Sequence, residues 1–86
     1  MSGIWIKSQD RNTILLVNKF DVREVFGHYE ITGNEIVIGK YDILSVANSV
    51  MNEIESAIKD DYTLYQMPED YSEEIKFEEL AQQFGK

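Results

Sequence analysis

Cysteine is absent from the 86 residues, which excludes disulfides, thiolate metal sites and thiol nucleophiles. Histidine occurs once, at His28, so a histidine-based zinc or iron site lacks ligands and a Ser–His–Asp arrangement has no specific anchor. The five glycines are scattered at positions 3, 27, 33, 39 and 85, and no Gly-rich phosphate loop can be built from them. No apolar run approaches the roughly 18–20 residues of a membrane span, and no signal peptide opens the sequence. These two absences, with the lack of cysteine, point to a cytoplasmic protein that does not enter a membrane. Positive charge is also scarce: 8 Lys and Arg stand against 16 Asp and Glu, for a net charge of −8.

What is present describes a folding chain, 43% hydrophobic and 28% charged. One domain over residues 1–86 is expected, and a core this small buries only about 60–65% of the unfolded surface. The charge is uneven. Residues 1–50 are almost neutral, whereas residues 51–86 hold three lysines against ten carboxylates. Such a chain repels nucleic acid and suits a basic protein surface. The adjacent acids Asp60-Asp61, Glu69-Asp70, Glu73-Glu74 and Glu78-Glu79 read as solvated. General acid–base work instead needs two carboxyls in unlike environments. Asp60-Asp61 and Glu69-Asp70 also lack the alternating ligand spacing of a calcium loop. A non-enzymatic protein with no metal and no cofactor is expected.

Periodicity predicts an α+β fold: a bent antiparallel meander of four to five strands, one amphipathic helix across it, and a short acidic C-terminal helix. The meander spans 4–41. Ile4-Trp5-Ile6 and the aliphatic run Thr13–Phe20 form a first hairpin around the turn-rich Ser8–Asn12. A phase shift near Gly27 predicts a bulge or bend. Gly33-Asn34 sits between Tyr29-Glu30-Ile31 and Ile36-Val37-Ile38 as a tight turn. From 42 to 61 the apolar residues Ile43, Ala47, Val50, Met51, Ile54, Ala57 and Ile58 fall at helical spacing, with Asp42 as the expected cap. A short strand at 62–67 ends at Pro68. Ser72 then reads as the N-cap of a helix over 72–84, with Gly85 at its C-cap. Phe77, Leu80, Ala81 and Phe84 make an apolar stripe on that helix, expected either to close a sheet edge or to form a homo-oligomer interface.

The polar constellation of note is Lys7-Ser8-Gln9-Asp10-Arg11-Asn12, directly after Trp5. It offers two cations, several hydrogen-bond donors and an aromatic face, a set suited to a nucleotide-type ligand with its base stacked and its phosphates met by Arg11 or Lys7. Strand alternation puts Lys7 on the face of Trp5. The candidate ligand-binding residues are therefore Trp5, Lys7, Ser8, Gln9 and Arg11, joined by Arg23 from a later strand. The same stretch has a structural reading as a solvated hairpin turn beside a core tryptophan.

The run Ile4-Trp5-Ile6-Lys7-Ser8-Gln9-Asp10, followed by Leu15–Asn18, resembles the opening of small uncharacterised phage and prophage proteins of Gram-positive bacteria. These begin with a Trp-Ile-(Arg/Lys)-Ser-Gln-Asp stretch and continue into a β-meander. Gly39-Lys40-Tyr41, Asn52-Glu53-Ile54 and Tyr65-Gln66-Met67-Pro68-Glu69 look similar to that family as well, so the resemblance covers roughly residues 4–70. It implies a mobile element in a bacterial host and brings no catalytic residues. Two functions are consistent with this sequence. One is a homo-oligomeric phage counter-defence protein that sequesters a nucleotide-type signalling ligand. The other is an acidic module, a nucleic-acid mimic or inhibitor, that blocks a basic host defence protein.

Overall fold

A computed structural model describes residues 3–76. The first hairpin is β1 (Ile4–Lys7) against β2 (Ile14–Val17), antiparallel, with Ile4 opposite Val17 and Lys7 opposite Ile14. Alternation buries Ile4 and Ile6 and turns Trp5 outward. The expected long strand 13–20 breaks in two at Asn18-Lys19. The amides of these two residues donate to the Asn34 Oδ1 atom rather than to a ladder, each at 3.2 Å. Phe20 accordingly opens the next strand.

β3 (Phe20–Val25), β4 (His28–Gly33) and β5 (Ile36–Tyr41) form an antiparallel sheet. Two-residue turns join them, and both central residues of each have positive φ: Phe26 (49°) with Gly27 (84°), and Asn34 (50°) with Glu35 (71°). That is the hairpin geometry whose twist matches the strands. Of the expected bulge or bend near Gly27, the structure shows a bend, closed to a tight two-residue turn. The irregularity lies in β5, where Ile31 faces Gly39 but Thr32 faces Val37, leaving Ile38 as the extra residue. At Gly39 a Cβ would lie 2.9 Å from the Tyr41 ring, so the glycine is what lets that ring fold back into the core.

α1 (Leu44–Lys59) lays Val46, Ala47, Val50, Ile54 and Ala57 against β4 and β5. It starts later than expected. Ile43, in extended conformation, stands at the N-cap without a side-chain capping bond, and Asp42 does not cap. The Asp42 amide is instead tied to Asp70 Oδ2 at 3.2 Å and the Ile43 amide to Ser72 Oγ at 3.2 Å. The far end closes as a Schellman motif. Asp61 has φ of 58°, its amide donates to the Ile58 carbonyl, and the Tyr62 amide donates to the Ala57 carbonyl.

β6 (Leu64–Gln66) returns to β1 and pairs with it in parallel, Trp5 beside Leu64 and Lys7 beside Gln66. The strands therefore divide into two three-stranded sheets, β2-β1-β6 and β3-β4-β5, and not one meander. The fold is α+β, with the long helix across the strands. Helical backbone resumes at 72–76, but Ser72 is not its N-cap: the Tyr71 carbonyl accepts the Glu74 and Ile75 amides. Ser72 is wholly buried and donates to Asp70 Oδ1 at 2.5 Å. The stripe Phe77, Leu80, Ala81 and Phe84 lies outside the described residues. The core joins Ile4, Ile6 and Val17 of one sheet to Ile31, Ile38 and Tyr41 of the other, with the buried helix face and Met67 between them.

Candidate interaction surface

The turn after β1 uses most of its polar atoms on itself. Ser8 is buried, its hydroxyl donating to Asp10 Oδ1 at 2.6 Å and accepting the Thr13 amide at 3.1 Å. Asp10 also accepts the Asn12 amide, and these two bonds hold its carboxyl below the ordinary range. Gln9 is spent on the fold. Its Nε2 donates to the Lys40 carbonyl at 3.0 Å and the Pro68 carbonyl at 3.3 Å, while its Oε1 accepts the Lys40 amide at 2.9 Å. One carboxamide thereby clamps β5 to the 67–70 segment. Arg11 is exposed in the turn at φ 66°, with no side-chain partner among the described residues.

Arg23 belongs to the other sheet. It faces Glu30 across β3–β4 and contacts its carboxylate at 3.2 Å, and His28 Nε2 reaches the same group at 3.4 Å. Burial opposes the charge on Glu30. The His28 bond, with the Arg23 bond and positive charge and the more distant Lys40, outweighs it and lowers the carboxyl pKa. The structure brings Trp5 and Lys7 onto one face, as expected. It leaves Arg11 in a turn and commits Arg23 to a different pair on a different sheet.

Three hollows among the described residues do not gather these cations either. One of about 170 Å³ lies between Ile4, Val17, Phe20, Ile58, Asp61 and Tyr62. Another of about 350 Å³ is flanked by Glu53, Asp60, Tyr62 and Tyr65, with the Tyr65 hydroxyl donating to Glu53 Oε1 at 2.6 Å. Burial, together with that bond, pushes the Tyr65 hydroxyl far above the ordinary phenol range. A third hollow, beside Gln9, Asp10, Gly39 and Lys40, has a single cation. Among the described residues no three His, Asp or Glu side chains gather to hold a metal, and no helix is long and apolar enough to cross a membrane.

Among the described residues Ile36, Val37, Leu44 and Tyr62 are exposed, and so are two further apolar features. On the outer face of β2-β1-β6, Leu16, Trp5 and Leu64 lie side by side across the three strands, 42%, 45% and 47% exposed, with Ile14 next to them at 55%. At the tip of the β3–β4 hairpin, Phe26 is 100% exposed. The phase shift near Gly27 predicts a bulge or bend and does not single out Phe26 as a hairpin tip. The signal for a tip was there, since Phe-Gly between Val25 and His28 is a two-residue loop with glycine in its second place. No protein-family model, curated protein or solved structure matches the chain.

Proposed function

We propose that this chain is a non-enzymatic, acidic protein-interaction module that blocks a basic protein in the bacterial cytoplasm, with Phe26 as its anchor. The observation that carries the reading is the state of Phe26: wholly exposed and held at φ 49°. A left-handed backbone costs an L-residue roughly 1–2 kcal/mol, and asparagine or glycine is favoured at that place in the turn. An exposed ring returns nothing to the fold in compensation. Buried in a partner's pocket, a phenylalanine contributes about 1.5–3 kcal/mol, and aromatic anchors commonly dominate protein interfaces.

Charge selects the partner. The net charge is −8, and Glu24 is exposed two residues before the anchor. The surface of the partner that faces this acidic chain is therefore basic. The resemblance of residues 4–70 to phage and prophage proteins supports a host defence protein as the target. Sequestration of a nucleotide by a homo-oligomer has less support, because Ser8 and Gln9 are bonded internally and Arg23 is paired with Glu30.

Photo-crosslinking tests the proposal. With a benzoyl-phenylalanine at position 26, expressed in a Gram-positive host, one basic protein should dominate the adducts. Unlabelled wild type should compete it away, and Phe26→Ser should not. Adducts spread over many proteins, or one to an acidic protein, would overturn the reading. Calorimetry against linear and cyclic nucleotides covers the other reading: binding that is lost in Arg11→Ala would restore sequestration.

A further inference from the structure

The outer face of β2-β1-β6 is apolar and free of carboxylates. Its six outward positions are Ile14, Leu16, Trp5, Lys7, Leu64 and Gln66, placed there by the pairings Lys7–Ile14, Trp5–Leu16, Trp5–Leu64 and Lys7–Gln66. Four are apolar and at least 42% exposed. One is a lysine and none is a carboxylate, in a chain that carries 16 Asp and Glu. A basic partner would find nothing to pair with here and one cation to avoid. A second copy of this chain faces the opposite problem. Two molecules of net charge −8 repel, and they can approach at least cost through faces that hold no carboxylate.

We infer that this face is a self-association surface, occupied by the same face of a second copy about a two-fold axis. Trp5 lies on the central strand of the sheet, so two-fold stacking sets the two indoles near the axis, where aromatic side chains anchor interfaces. Three strands about 4.8 Å apart give an apolar patch of a few hundred Å² per copy, short of the roughly 800 Å² per partner of a standard interface. The dimer is accordingly weak. Its salt dependence is the reverse of that for a basic partner. Added salt screens the repulsion between two acidic copies and strengthens the dimer, whereas it weakens an acidic–basic complex.

Sedimentation equilibrium of the full chain, at concentrations from about 10 µM to 1 mM, tests this. The mass should rise from one copy toward two, and should do so at lower protein concentration in 0.5 M salt than in ~0.05 M. Trp5 is the only tryptophan, so its emission should shift to the blue in step with the mass. Leu16→Glu should weaken association roughly tenfold or more, and Lys7→Glu, which removes no apolar group, should do the same if Leu16→Glu perturbs folding. Phe26→Ser should dimerise as wild type does, which keeps this result separate from that of the hairpin tip. A constant one-copy mass overturns the inference. If Trp5 emission is then blue at every concentration, the occupant is the chain's own residues 77–86. A dimer unaffected by Lys7→Glu and Leu16→Glu overturns it as well.

Discussion

Asn34 donates from Nδ2 to the Leu16 carbonyl at 2.9 Å, so a side chain in the β4–β5 turn holds the end of β2. Its Oδ1 accepts the Asn18 and Lys19 amides, and its own amide donates to the Lys19 carbonyl at 2.9 Å. One residue thus fastens one sheet to the other where the chain passes between them. Asn34→Gly retains the positive φ and removes the three side-chain bonds. It should cost about 1–2 kcal/mol in urea unfolding, because several neutral bonds at an exposed site each contribute a fraction of a kcal/mol to about one. Asn34→Ala should cost more, adding left-handed strain. Wild-type stability in Asn34→Gly would show that the sheets are held together by the core alone.

Phe26→Asn should separate stability from function. Asparagine tolerates the left-handed turn position, so the variant should gain about 1 kcal/mol, a rise in Tm of roughly 4–8 °C for a domain of this size. The same change should abolish the crosslinked complex. A variant that melts at or below the wild-type temperature would mean that the ring contributes to the fold.

Asp61 and Glu35 sit at φ 58° and 71° without being glycine. Asp61→Gly completes the Schellman cap and Glu35→Gly completes the turn, and each should add about 1 kcal/mol. The two positions lie in separate turns, so the gains should add in the double variant. Thermal melts of the singles and the double check this.

Acid should weaken the protein through Glu30 and Asp10. Both carboxyls have lowered pKa values in the folded state. The stability they contribute is therefore complete above the ordinary carboxylate pKa and is lost as pH falls through the lowered folded values. Urea midpoints should fall below about pH 4, and Glu30→Gln with Asp10→Asn should flatten that fall while lowering the midpoint at pH 7. An acid limb unchanged in the double variant would assign the loss to other carboxylates.

The legible parts of this fold are those whose cause is local. Alternation of Ile4, Trp5, Ile6 and Lys7 gives β1 but not that Trp5 faces solvent, where a core tryptophan is one expectation. The spacing of Ala47, Val50, Ile54 and Ala57 gives α1 and its buried side. The errors have distant causes. The strand break at Asn18 depends on Asn34, and the late start of α1 depends on Asp70 and Ser72, 28 and 29 residues further on. The candidate site divides in the same way. That Trp5 and Lys7 share a face is written in the alternation. That Gln9 is spent on Lys40 and Pro68, 31 and 59 residues away, is not.

The pairing of β1 with β6 also sets a schedule for the chain. Ser8 and Gln66, bonded to each other at the end of that pairing, are 58 residues apart in sequence. β1 is the middle strand of its sheet, so during synthesis it can gain β2 on one side early but must leave its other edge open until the helix and the β6 segment have emerged. For that interval the nascent chain shows an unpaired strand edge beside Trp5, the kind of template on which unfinished chains join one another. A slow ribosome or a high expression rate would lengthen or crowd that interval, and the yield of soluble protein should depend on both.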